Sequence, residues 1–281
     1  MEIPVVDLCV YKLGKDNVSV EQLEKLGQEL RSAFTEVGFV YVKNTGITQE
    51  ESFFDLPEDV KKPFRRGTYS CDINHGWVSL ETERHNWPSD GIEDFRDVHI
   101  SFFLSCKELS LRVLRIMALG LGLQPETFLN AHKHIGSDLN KTTLRTLFYP
   151  PVETESVKKD QLRCGEHSDY GSITLVFQSS KGGLQVLNRA GEYISAPSIP
   201  GTVLINIADL MQRWTSDVYV SAVHRVLLPP PGDLSSRQSL AFFVQPDDEA
   251  VISCCDGSDK YPPVRSIDYL LSRFSESYGK K

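Results

Sequence analysis

The chain has 281 residues, 40% hydrophobic and 24% charged, which is ordinary for a globular protein and leaves enough apolar material for one sizeable core or two small ones. A formal net charge of −8 argues against nucleic acid as an obligate partner, because phosphate binding needs a basic face. No run of eighteen apolar residues is present and the opening residues lack a signal-peptide pattern, so neither a membrane span nor a membrane partner is expected. The six cysteines, at 9, 71, 106, 164, 254 and 255, form no C-x-x-C pair. They read as reduced thiols in a cytoplasmic protein.

Residues 3–8 read as a short strand. Ser19 is a candidate N-cap with Gln22 at the capping-box position, and Leu23, Leu26, Leu30, Phe34 and Val37 recur on one helical face over about 20–36. Gly38 ends that helix, and Phe39–Lys43 read as a strand. Residues 45–90 are irregular; Tyr69, Asn74, His75, Trp77 and Arg84 are its pocket candidates, and Lys61–Arg66 reads as a solvated basic loop. A long buried helix is expected over about 98–121 and a short one from Pro125. His132 and His134 fall in a polar stretch and read as surface histidines.

From residue 142 the pattern changes. Strand-like runs fall near 143–149, 161–166, 172–177, 184–187, 202–206, 220–227, 238–244 and 250–253, separated by turn residues. Such a series suggests a jelly roll or small barrel rather than βαβ units. An amphipathic helix closes the chain from Ser266 to Tyr278, with Ile267, Leu270, Leu271 and Phe274 on one face. Without a Gly/Ser linker, residues 1–281 are expected as a single domain. It comprises a helical and strand support (1–141), a β core (142–265) and a C-terminal segment (266–281).

The chemistry concentrates in Arg163–Phe177, which contains His167-Ser168-Asp169. If extended, His167 and Asp169 share a face while Ser168 points away. An imidazole and a carboxylate are two of the three groups that hold a ferrous ion from one side, and His224, in another β-prone run, is the candidate third. Arg237 and Ser239 again share one face of a strand-like run. An inward guanidinium with an inward hydroxyl makes a carboxylate clamp, and an inward Arg calls for an anionic ligand or an internal acid.

In this order, H-x-D, a distant His and R-x-S resemble the iron(II)/2-oxoglutarate-dependent dioxygenases, isopenicillin-N-synthase-like branch. Ile3–Leu8, Gly38–Asn44, Leu144–Pro151, Gly182–Val186 and Pro200–Thr215 resemble further family segments in register. The resemblance implies a mainly β fold with helical support and a double-stranded β-helix (jelly-roll) core. It implies Fe(II) on His167, Asp169 and His224, and 2-oxoglutarate held by Arg237, Ser239 and Tyr149. It further implies O2 as co-substrate, ascorbate as an optional reductant, and oxidation of a small molecule with release of succinate and CO2. Leu147 departs from the pattern, since many members carry Asn there. The region 45–90 is also shorter than in the family. Arg145, Phe242 and Gln245 are candidates for the cavity wall. Asn206, Asp209 and Trp214 are expected to support the site, and Arg225 should face the opposite way, toward an acid. A monomer is the default expectation. Three rivals stand beside this reading. One is an Fe(II) oxidase of the same fold whose clamp holds the substrate's own carboxylate. The others are a non-catalytic metal-binding scaffold and a zinc hydrolase, the last leaving Arg237 and Ser239 unexplained.

Overall fold

The computed structural model describes residues 2–47, 95–152 and 160–278. Tyr69, Asn74, His75, Trp77, Arg84 and the Lys61–Arg66 loop lie outside the described residues. In chain order the strands are β1 (Val5–Asp7), β2 (Phe39–Lys43), β3 (Thr143–Tyr149), β4 (Cys164–His167), β5 (Ile173–Gln178) and β6 (Leu184–Leu187). They continue as β7 (Tyr193–Ser195), β8 (Thr202–Ile207), β9 (His224–Val226), β10 (Arg237–Val244), β11 (Val251–Ile252) and β12 (Val264–Arg265). The helices are α1 (Val20–Glu36), α2 (Phe95–Gly120), α3 (Glu126–Leu129), α4 (Asp209–Trp214) and α5 (Ser266–Tyr278).

Six strands form the larger sheet in the order β1-β2-β8-β5-β10-β3, and four form the smaller in the order β4-β9-β6-β7. The pairings within both are antiparallel apart from β1 with β2. Strand alternation sorts the side chains of the larger sheet. Leu175, Phe177, Ile205, Leu240 and Phe242 turn toward the helices and join one apolar cluster with Leu30, Phe34, Leu109 and Leu114. Phe39, Tyr41 and Leu204 turn the other way and pack with Leu184, Val186 and Val226 of the smaller sheet. The two sheets are thus the walls of a jelly roll, with helices backing the larger one. Burial on both faces explains why β10 is apolar along most of its length. Each large side chain buried this way contributes roughly 1.5–3 kcal/mol.

The helical support follows its local signals. Ser19 Oγ accepts from Gln22 N at 3.3 Å while Gln22 Oε1 accepts from Ser19 N at 3.2 Å, completing the expected capping box. Helices α1 and α2 meet at two glycines: a Cβ on Gly120 would lie 2.3 Å from Gly27 O, and one on Gly27 would lie 2.8 Å from Gly120 N. Gly38, at φ +77°, reverses the chain out of α1 into β2. Among the described residues no helix is long and apolar enough to cross a membrane.

Several details differ from what the sequence predicts. Leu271 is 56% exposed, so the packed face of α5 runs through Ile267, Leu270 and Phe274 without it. The strands β7 and β12 and helix α4 have no counterpart among the expected elements; segments of two to six residues are too short to display a period. His132 is buried rather than on the surface. Its Nδ1 meets Phe128 O at 2.7 Å and its Nε2 meets Ser172 Oγ at 2.9 Å, and its ring stacks on Trp214. His134 is exposed, as expected.

Candidate metal and carboxylate site

Strand β4 ends on His167 and β9 begins on His224, and the register sets the two opposite each other. Asp169 lies in the loop that leads into β5. One ligand atom from each of the three residues lies within 4.8 Å of the others. Asp169 Oδ1 is 3.9 Å from His167 Nε2 and 3.8 Å from His224 Nε2. Backbone carbonyls orient both rings: His167 Nδ1 donates to Gly165 O at 2.8 Å, and His224 Nδ1 to Ala222 O at 3.1 Å. A carbonyl can only accept, so the proton sits on Nδ1 and each Nε2 is left to face the shared centre. Phe39 packs edge-on against the His224 ring and closes the apolar side.

Asp169 is buried, and Asn206 Nδ2 donates to its Oδ2 at 2.8 Å. Burial pushes the Asp169 carboxyl up, but His224, Asn206, Thr174 and His167 outweigh it and hold the group below the usual range. Burial lowers His224. Burial also acts to lower His167, but Cys164, Asp169 and the Gly165 carbonyl raise it to about 9. A borderline imidazole pair with one hard carboxylate, all on one side, fits a ferrous ion with open positions opposite.

The second half of the site lies along β10. Arg237 pairs with Tyr149 across the sheet, and Ser239 with Leu147. Arg237 is only 2% exposed. Its Nη1 donates to Ser239 Oγ at 3.2 Å and its Nη2 to Gln178 Oε1 at 3.0 Å, while its Nε has no partner among the described residues. The guanidinium lies 5.2 Å from the Tyr149 ring centroid, and Arg163 approaches the same ring at 6.0 Å. Burial lowers the Arg237 pKa and raises that of Tyr149. Among the described residues no carboxylate lies within ion-pairing distance of Arg237. A buried cation with one N–H unmet is costly unless an anion joins it, so the clamp fits a ligand carboxylate.

Other expected residues fall into place by strand parity. Arg145 lies opposite Ala241 on the Arg237 face of the sheet, is exposed, and carries its guanidinium 5.3 Å from the Phe243 ring. Phe242 faces away from the cavity: it is fully buried against Phe103. The parity that aims Arg237 and Ser239 inward selects Phe243 instead. Gln245 is buried beside Gly171. Arg225 turns outward to Glu166 at 3.0 Å, as expected. Asp209 accepts from Ser168 Oγ at 3.0 Å and pairs with Arg273 at 2.8 Å, tying α5 to the loop between His167 and Asp169. Trp214 packs on Phe128. Sequence reasoning misses two residues, Gln178 and Thr174. Their only signal is a polar side chain at inward parity in an otherwise apolar strand.

The description "2OG-Fe(II) oxygenase superfamily" matches residues 139–246, and "non-haem dioxygenase in morphine synthesis N-terminal" matches residues 3–110. A 2-oxoglutarate-Fe(II) type oxidoreductase, ppzD of Metarhizium rileyi, is 31% identical over 90% of this chain and 86% of its own length. The chain belongs to the 2OG-Fe(II) oxygenase superfamily. Similar to this oxygenase as well is the 2-oxoglutarate-dependent dioxygenase htyE of Aspergillus rugulosus, 29% identical over 99% of the chain and 100% of the relative. Among solved structures, a full-length Neurospora crassa protein in complex with alpha-KG and 5-formyluracil superposes on the oxygenase with a TM-score of 0.80. It is 31% identical, with 97% of this chain and 95% of that chain covered. The oxygenase is accordingly an Fe(II)- and 2-oxoglutarate-dependent dioxygenase of small molecules, using O2.

Proposed function

We propose that His167, Asp169 and His224 hold the iron, and that Arg237, Ser239 and Tyr149 hold the far carboxylate of 2-oxoglutarate. The observation that carries this reading is the buried Arg237, with an unmet Nε and no acid beside it among the described residues. When bound, the iron supplies O2 activation coupled to decarboxylation of the cosubstrate to succinate and CO2. The chain's own residues position and insulate that chemistry. Gly165 and Ala222 carbonyls aim the two imidazoles, and Asn206 and Thr174 keep Asp169 ionised. Phe39, Leu204 and Val186 keep the adjoining interior dry. Arg145 and Phe243, on the same inner face as the clamp, form the wall proposed to meet the substrate, with hydroxylation as the outcome. A cytoplasmic monomer with one domain completes the reading. The thiols of Cys9, Cys164, Cys254 and Cys255 support the compartment, and the cluster shared by helices and larger sheet supports the single domain.

The test is succinate formation from 2-oxoglutarate by protein loaded with Fe(II). The wild type should release succinate, and His167→Ala and Asp169→Ala should abolish release. If both variants retain wild-type rates, the metal assignment fails. If Arg237→Ala leaves the KM for 2-oxoglutarate unchanged, the clamp assignment fails.

A further inference from the structure

Gln178 is the last residue of β5 and lies directly across from Ser239. Its Oε1 accepts from Arg237 Nη2 at 3.0 Å, and its Nε2 donates to Ala196 O at 3.3 Å. The two bonds fix which end of the amide faces the guanidinium. Ala196 follows β7 and is itself buried and bonded through its N–H to Leu184 O. The smaller sheet therefore anchors the amide that aims an arginine on the larger one.

The other well-buried arginine among the described residues is treated differently. Arg112, 7% exposed, is met by two carboxylates, Asp16 at 2.5 Å and Glu108 at 2.8 Å. Arg237 is more buried, yet among the described residues it donates to the neutral oxygens of Gln178 and Ser239 and pairs with no carboxylate. A neutral acceptor gives direction without cancelling charge, whereas an internal carboxylate would form a charge-assisted pair and compete with any ligand for the same N–H groups. We infer that Gln178 is a positioning residue that aims Arg237 while withholding a counter-charge, and so makes the clamp selective for a carboxylate ligand. This inference rests on the reading that Arg237 receives the cosubstrate carboxylate.

Two near-isosteric substitutions separate this role from simple packing. Gln178→Met removes the acceptor and adds no charge; Gln178→Glu keeps an acceptor and adds a charge. Loss of one bond to a charged group should weaken 2-oxoglutarate binding by about tenfold. An internal ion pair should weaken it by about a hundredfold or more. A residue that merely fills space would show the opposite order, because Glu retains the shape and the hydrogen bond better than Met.

The experiment is an anaerobic titration of 2-oxoglutarate into protein loaded with Fe(II). It follows the visible band formed when the keto acid chelates the iron. Fe(II) affinity and melting temperature are measured for each variant as controls on the metal site and the fold. The expected result is weaker binding in the order wild type, Gln178→Met, Gln178→Glu, with Fe(II) affinity and melting temperature near wild type. Wild-type binding by Gln178→Glu, or weaker binding by Gln178→Met than by Gln178→Glu, overturns the inference. Arg237→Ala is titrated alongside. If it binds 2-oxoglutarate as the wild type does, the underlying clamp reading fails, whatever the Gln178 variants show.

Discussion

Asn206 donates its side-chain amide to Asp169 Oδ2 at 2.8 Å, so one carboxylate oxygen is committed before any metal arrives and the other, Oδ1, is left facing both imidazoles. Asn206 sits in β8 opposite Thr174 of β5, so neighbouring strands of the larger sheet serve the same carboxylate. Groups that hold a metal ligand in place are typically worth about 10- to 100-fold in metal affinity. Asn206→Ala should therefore weaken Fe(II) binding by a factor in that range. It should also raise the Asp169 pKa, since one of the bonds that favours its charged form is gone. Metal titrations at two pH values check both effects. Unchanged affinity at neutral and mildly acidic pH would show that Asn206 does not hold Asp169 for the metal.

The buried His132 gives the fold an acid sensitivity of defined sign. Burial lowers its pKa from 6.5 to about 4, against the opposing pull of the Phe128 carbonyl and Asp247. Above pH 6.5 neither the folded nor the unfolded chain protonates it, and it contributes no pH dependence. Between 6.5 and about 4 the unfolded chain binds a proton that the folded chain refuses, so stability falls as pH falls. The loss amounts to about 3 kcal/mol across that window. His132→Gln removes the titration. Urea unfolding of both proteins at about pH 7 and about pH 5, on either side of the unfolded-state pKa, should show a smaller acid loss in the variant, even if it is less stable at neutral pH. Parallel curves would locate the acid sensitivity elsewhere.

The parts of the site that are legible in the sequence are those governed by strand parity. Arg237 and Ser239 are i and i+2 within β10, and strand alternation alone places them on one face. The same rule, carried on along β10, excludes Phe242 and selects Phe243, although both aromatics look equivalent as composition. His167 ends β4 and Asp169 lies in the loop beyond it, so the loop, not strand parity, brings that pair together. What parity cannot supply is the partner across space. His132 sits among polar residues, and nothing local shows that Ser172, forty positions away, will meet its Nε2. Gln178 reads as the polar end of an apolar strand until the β5–β10 register sets it opposite Ser239. Leu271 reads as part of the packed face of α5 because periodicity counts apolar side chains without regard to how narrow the docking stripe is.

Arg145 tests whether the cavity wall and the clamp are separable. It shares a face with Tyr149 on β3, but it is exposed and rests on Phe243. Arg145→Ala removes a cation without touching Arg237, Ser239 or the three metal-site residues. Turnover of 2-oxoglutarate without substrate should stay near the wild-type rate. Substrate-stimulated turnover should show a KM raised by roughly tenfold, the cost of one lost bond to a charged group. Succinate release measured with and without substrate distinguishes the two. A fall in the unstimulated rate equal to the stimulated one would place Arg145 in the cosubstrate site instead.

The crossing of α1 and α2 provides a stability test that runs against helix propensity. Ala is the better helix former by about 1 kcal/mol, so Gly120→Ala would stabilise an isolated helix. Here the added Cβ would lie 2.3 Å from Gly27 O, which is backbone and cannot rotate aside. The helices must separate, and overpacking of this kind costs roughly 1–3 kcal/mol. The displaced surfaces include Leu30, Phe34 and Leu114, all part of the cluster behind the larger sheet. That cluster lies on the face away from Arg237 and Ser239. Gly120→Ala should therefore lower the melting temperature by several degrees. At low temperature, where the fold is intact, 2-oxoglutarate affinity should be unchanged. A raised melting temperature would mean that the helices tolerate the methyl and that Gly120 is not required for their close approach. A loss of cosubstrate affinity in the folded variant would mean instead that the helical layer sets the geometry of the clamp through the sheet it backs.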